Sequence, residues 1–187
     1  VGTVAAYGRE GDYYRFYEIN PSMVEVARET FGFLAKCRAN VDIQLGDARL
    51  SLENEPCQHF DVIVLDAFSG DAIPTHLLTK EAFAIYRRHM DMGGVIAVHI
   101  SNRYLSLEPV ILRQAEDMRM HCIQIINRAD NKNAILLSKW MLLTNNRDFL
   151  TKPEIEAVAR TFRKEPGKSF PLWTDGYNNL IQILNVY

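Results

Sequence analysis

The chain has 187 residues, enough for one domain with a substantial core. Its 48% apolar and 24% charged content rules out a disordered chain, and a formal charge of −2 removes the basic footprint of a nucleic-acid binder. No apolar run approaches the ~20 residues a bilayer span needs. Cys37, Cys57 and Cys122 form no CxxC pair, which argues against a disulfide framework or a cysteine zinc site and fits a reducing, cytoplasmic setting.

The chain opens on Val1-Gly2-Thr3 rather than Met, as though inside a motif, so upstream residues are expected. Tyr14–Ile19 reads as a strand. Pro21 suits a first helical turn, and Met23, Val24, Ala27, Phe31 and Leu34 recur at helical spacing behind it. Val41–Leu45 is a second strand, with Asp47 placed to cap a short helix over Ala48–Glu53. Phe60–Leu65 is nearly all apolar, the pattern of a strand covered on both faces. A loop over Ala67–Thr75 leads to a helix capped by Thr79, then to a turn at Asp91-Met92-Gly93-Gly94 and a buried strand, Val95–Ile100. A helix covers Leu107–Arg119. Cys122–Ile126 and Lys139–Thr144 have only a polar loop between them, so they read as an antiparallel hairpin. Lys152–Arg163 reads as helix, Gly167–Pro171 as linker, and Trp173–Leu184 as partly helical.

This alternation predicts a doubly wound α/β sheet, mostly parallel with a C-terminal antiparallel hairpin, in a single domain over residues 1–187. In such sheets ligands bind at the carboxyl ends of strands. That rule singles out Glu18, Gly46-Asp47, Asp66 and His99–Asn102.

Each candidate has a chemical role and an ordinary alternative. Gly2, before a helix, would let backbone approach a ligand, or is a turn glycine. Glu18 stands 16 residues after Gly2, near the offset at which an acid takes ribose hydroxyls, or is a solvated strand end. Asp47 could accept from an adenine amino group, or simply cap its helix. Asp66 and Asp71 share one loop and could hold a cationic substrate and accept its proton; turn chemistry is the alternative. The histidines show no metal-ligand spacing, His99 reads as a packing residue, and Trp140 and Trp173 read as core. No Ser/His/Asp set stands out, with Ser69 near Asp71 left open.

Taken together, Phe16-Tyr17-Glu18-Ile19-Asn20-Pro21, Gly46-Asp47-Ala48-Arg49, Phe60–Asp66 and Trp173-Thr174-Asp175-Gly176-Tyr177-Asn178-Asn179-Leu180 resemble the spermidine synthase-like proteins of the class I S-adenosylmethionine-dependent methyltransferase fold. The resemblance runs from Gly2 to about Leu184 and implies a Rossmann-like sheet whose first strand lies upstream of Val1. It implies that Val1-Gly2-Thr3 ends the glycine-rich loop, that Glu18 holds the ribose, and that Asp47 and Ala48 contact adenine. Asp66 would be the catalytic acid that orients the attacking amine and takes its proton, Asp71 the second acid of that loop, and Tyr177 a residue near the polyamine. The implied cofactor is decarboxylated S-adenosylmethionine or S-adenosylmethionine, with no metal, and the implied partner is a polyamine or other amine. A homodimer and a fused upstream region, membrane-attached or not, are compatible with it.

Two departures keep alternatives open. Val1 stands where the family carries an Asp that would pair with the cofactor's free amine, which speaks for a methyltransferase using S-adenosylmethionine. The family's N-terminal hairpin region is absent, which speaks for a non-catalytic nucleoside-binding domain of the same fold.

Overall fold

The structure is a computed structural model and describes residues 1–67, 74–162 and 170–185. Contacts divide the chain into two units, Val1–Pro56 and Cys57–Tyr187. The fold is α/β, with parallel and antiparallel strand pairs.

In the N-terminal unit, β1 (Tyr13–Glu18), α1 (Pro21–Glu29) and β2 (Asn40–Leu45) form a βαβ unit with parallel strands, followed by α2 (Ala48–Asn54). Asn20 accepts the Ser22 N–H and Pro21 takes the first helical position, so α1 starts where its sequence signals place it. It ends at Glu29, before Phe31 and Leu34. Leu34 lies instead against Gly2: a Cβ at Gly2 would stand 2.6 Å from Leu34 Cδ2. Gly2 also has φ 85°, which disfavours any side chain there.

The C-terminal unit carries β3 (Phe60–Leu65), α3 (Lys80–His89), β4 (Met90–His99), α4 (Glu108–Met118), β5 (His121–Asn127), β6 (Ser138–Thr144), the short helices α5 (Arg147–Leu150) and α6 (Pro153–Glu156), and β7 (Ala159–Thr161). Its five-stranded sheet runs β3-β4-β6-β5-β7. β3 and β4 are parallel, and β6 is antiparallel to both β4 and β5, so the expected hairpin is present and is continuous with the parallel pair.

The described strands hydrogen-bond as a two-stranded sheet, β1-β2, and the five-stranded one. Several local expectations change. Asp91–Gly94 is no turn between elements but part of β4, where the register slips between Phe60 and Val62 and Gly93 adopts φ 90°. Val62 and Val64 remain exposed while Ile63 is buried, so β3 is not covered on both faces. The helix expected over Lys152–Arg163 is only α6; Ala159–Thr161 pairs with β5 instead. There an open strand edge outcompetes helical propensity in a segment holding Val158 and Thr161. Only Leu180–Ile183 of the last segment is helical, as a 3-10 turn. Arg163, residues 167–169 of the expected linker, Ser69 and Asp71 lie outside the described residues.

The core of this unit follows the pleat. Val95, Ala97, Ile123 and Leu142 point to one face, where Phe149, Leu150 and Ile155 of α5 and α6 cover them. Ile96, Val98, Met141 and Leu143 alternate with them and are buried on the other face, and α3 and α4 pack on β4, β5 and β6. Buried Gln114 of α4 donates to the carbonyls of Leu78 and Trp173, both at 2.9 Å, and Lys80 N donates to Trp173 O at 2.8 Å. These bonds strap the C-terminal segment over the helices. Ser106 N to Ile183 O (2.7 Å) and Asn185 N to Tyr104 O (2.8 Å) tie it to the loop after β4.

Leu143→Ala, at a fully buried position, is expected to cost about 2–5 kcal/mol in urea denaturation, whereas Leu136→Ala, exposed in the β5–β6 loop, stays within ~0.5 kcal/mol.

Candidate functional site

In the N-terminal unit, the parallel register pairs Glu18 with Leu45, bringing Glu18 and Asp47 to the same end of the β1–β2 pair. Gly46 N donates to Glu18 O at 2.9 Å and closes that end. The Glu18 carboxylate accepts the Asn20 N–H at 2.9 Å, and Asp47 Oδ1 accepts the Leu50 N–H at 2.9 Å as the cap of α2. Ala48 is the first residue of that helix. Gly46, at φ 143°, separates the two acids without a side chain. A cleft of about 560 Å³ opens here, lined by Gly46, Asp47, Ser51 and the Arg15–Glu55 pair among others.

One wall of the cleft is a charged network. Arg15 bonds Asp42 and Glu55, the latter at 2.6 Å, and donates from Nε to the Tyr17 hydroxyl, which donates to Glu55 at 2.8 Å. The Arg15 and Glu55 side chains are only 16% and 15% exposed. Burial works against the Arg15 charge, but the hydrogen bonds Arg15 donates to Tyr13, Glu55 and Tyr17 outweigh it and raise its pKa. Burial, then Glu55, pushes the Tyr17 hydroxyl up as well, so it remains a donor. Glu55→Ala, which would leave the partly buried Arg15 with Asp42 as its remaining carboxylate partner, is expected to destabilise the protein by about 1–3 kcal/mol, and Asp42→Ala, at a more exposed carboxylate, by at most about 1 kcal/mol in the same denaturation assay.

In the C-terminal unit, Asp66 follows the last residue of β3 and is 53% exposed. Its Oδ1 lies 2.7 Å from His99 Nδ1. His99 Nε2 is 2.8 Å from Ser101 Oγ, which accepts the Lys139 backbone N–H at 2.7 Å. The His99 ring stacks on Trp140, with centroids 4.6 Å apart and planes at 16°. Sequence reasoning placed Asp66 and His99–Asn102 at strand ends but read His99 as packing and did not join the three residues into one set. The available signal was a His and a Ser two residues apart at the end of the strand expected beside the one ending in Asp66. Tyr177 stands elsewhere in this unit, on a bridge turn where Thr174 and Tyr177 exchange backbone hydrogen bonds. That turn is held to the start of α3 by Asp175 N to Glu81 and Thr79 Oγ to Asp175. Asp71 is not among the described residues.

These acids fit an adenosyl compound and an amine in their chemistry. Glu18 and Asp47 are carboxylate acceptors beside a side-chain-free glycine, suited to hydroxyl and amino donors, and Asp66 is an exposed carboxylate suited to a cation.

No protein-family model matches the chain. Over 84 residues it is 32% identical to a polyamine aminopropyltransferase of Vibrio vulnificus (strain CMCP6), a match covering 44% of this chain and 27% of that protein. Among solved structures it is similar to a probable spermidine synthase from Corynebacterium glutamicum, with 22% identity, a TM-score of 0.56, and coverage of 76% of this chain and 51% of that one. It is also similar to the spermidine synthase of Thermotoga maritima, with 11% identity, a TM-score of 0.56, and coverage of 92% and 57%. A spermidine synthase in complex with the transition-state analogue AdoDATO gives 12% identity, a TM-score of 0.57, and coverage of 87% and 55%. The fold is thus similar to that of the spermidine synthases. The resemblance read from the motifs is matched in sequence over those 84 residues and in fold by the solved spermidine synthases. It spans about a quarter of the curated relative and about half of the solved ones. Among the described residues no helix is long and apolar enough to cross a membrane.

The cysteines are unbridged. Burial, with Glu108 nearby, pushes the Cys122 thiol up to about 12, whereas Cys57 is exposed. At pH 8 only on the order of one Cys122 in ten thousand is thiolate, so iodoacetamide mapped by peptide mass spectrometry is expected to label Cys57 first and Cys122 only on unfolding.

Proposed function

We propose that this chain is a transferase domain of the spermidine synthase kind, which binds an adenosyl sulfonium compound and moves an aminopropyl group from it to a polyamine. The observation that carries the reading is the recurrence of an acid at the carboxyl ends of β1, β2 and β3, with Asp66 exposed after the apolar β3 strand. The similarity to a polyamine aminopropyltransferase supports it.

In the N-terminal unit, Glu18 would accept from ribose hydroxyls and Asp47, with Ala48, would receive the adenine. When bound, the sulfonium supplies an activated carbon, which an amine can attack as the carbon–sulfur bond breaks and sulfur keeps the electron pair. In the C-terminal unit, Asp66 does two things. It holds the polycation by charge, and it takes the proton that the attacking nitrogen must lose before or as the new C–N bond forms. Holding the amine in line with the carbon–sulfur bond supplies much of the acceleration. Asp71 is assigned to the same acidic loop and Tyr177 to the polyamine side, on the resemblance alone.

Val1, in place of an acid that would pair with the cofactor's amine, favours a second reading: methyl transfer from S-adenosylmethionine to an amine. Calorimetric titration with the two compounds side by side separates them. The decarboxylated form is expected to bind more tightly; tighter binding of S-adenosylmethionine would favour methyl transfer. Asp66→Asn is expected to lower kcat by about 10²–10⁴-fold while leaving nucleoside affinity within about twofold. Unchanged turnover in that variant would remove Asp66 from the reaction.

A further inference from the structure

His99 and Ser101 are not used by the reading above, and the order Asp66–His99–Ser101 invites comparison with a nucleophilic serine triad. Its exposure runs the other way. In such a triad the serine meets substrate and the acid is buried behind the histidine. Here the acid is the open end: Asp66 is 53% exposed against 21% for His99. Ser101 Oγ already accepts the Lys139 N–H at 2.7 Å, which ties it to the start of β6. The chain of hydrogen bonds therefore points from the sheet backbone towards the carboxylate.

We propose that His99 is the positioning residue of Asp66, with Ser101 setting its tautomer and Trp140 its ring plane. The inference rests on the reading of Asp66 as the proton acceptor. The sheet register supplies the placement. Leu65 pairs with Val98, so the next residues, Asp66 and His99, follow side by side at the end of the parallel pair. On the other side His99 pairs with Trp140, whose ring then stacks on the imidazole.

The donor count sets the direction. Ser101 Oγ uses one lone pair for Lys139 N–H and carries one proton, which it can donate to Nε2 of a neutral imidazole. The imidazole proton then sits on Nδ1 and is donated to Asp66 Oδ1 at 2.7 Å. If the imidazole is charged, Nε2 donates to the second lone pair of Ser101 and Nδ1 still donates to Asp66. Either way Oδ1 is held as an acceptor, the carboxylate plane is fixed, and the amine proton is directed to Oδ2. His99 moves no proton in this scheme.

The test uses the full chain and three substitutions. His99→Phe keeps a ring against Trp140 and removes both hydrogen bonds; His99→Asn returns a donor near the Nδ1 position; Asp66→Asn tests the underlying reading. Expected for His99→Phe is a fall in kcat of about 10- to 100-fold, the scale of a misplaced reacting group, with KM for amine and nucleoside little changed and substantial recovery in His99→Asn. Ring 15N NMR on the unmodified protein gives a readout independent of turnover. It should find His99 protonated on Nδ1, with that resonance shifted in Asp66→Asn. His99→Phe with normal kcat beside an inactive Asp66→Asn would overturn the positioning role alone. Full turnover in Asp66→Asn would overturn the reading of the reaction and this inference with it. A neutral His99 protonated on Nε2, or covalent labelling of Ser101 by a fluorophosphonate, would also overturn it, the latter in favour of a serine nucleophile.

Discussion

The ladder through β4 is the constraint on which the C-terminal unit depends. β4 pairs in parallel with β3 and antiparallel with β6, and its residues alternate between the face under α5 and α6 and the face against α3 and α4. A slip of one residue would exchange these faces and bury the wrong side chains, so the core pins the register. The same register sets Asp66, His99 and Trp140 abreast at one end of the sheet. Packing energy spent in the middle of the strands thus determines geometry at their ends, where no packing would hold an exposed carboxylate.

The two units use charge differently. In the N-terminal unit the Arg15–Glu55–Tyr17 cluster is largely withdrawn from solvent, and each polar atom there answers another. Such a cluster contributes specificity of packing more than net stability. In the C-terminal unit the acid is left open and its partner is mostly withdrawn. In the proposed reaction such a carboxylate meets a cation and keeps one side in water, while the histidine bonded to it would limit the rotamer freedom this exposure otherwise allows.

How far the sequence reaches can be read from particular elements. Asn20-Pro21, Asp47 and Thr79 mark the starts of α1, α2 and α3, because capping is a bond between neighbours in the chain. The apolar runs at Phe60–Leu65 and Val95–Ile100 mark strands for the same local reason. Local logic fails where a distant partner competes. β7 forms because the β5 edge is there to receive it, and Asp91–Gly94 joins β4 because β3 lies alongside. Leu34 leaves the helical stripe for Gly2.

The sequence by itself determined the order of strands and helices from β1 to β6, the acids at the ends of three strands, and the family those motifs resemble. All of these are set by residues close together in the chain. Only the tertiary structure decided that β6 runs between β4 and β5, that the described strands form two sheets, and that Ser101, His99 and Asp66 make one hydrogen-bonded line. Asp66 and His99 are separated by the α3 crossover, and hydrophobic pattern cannot say which atoms of two adjacent strand ends will meet. That follows from register, and register is a property of the packed sheet.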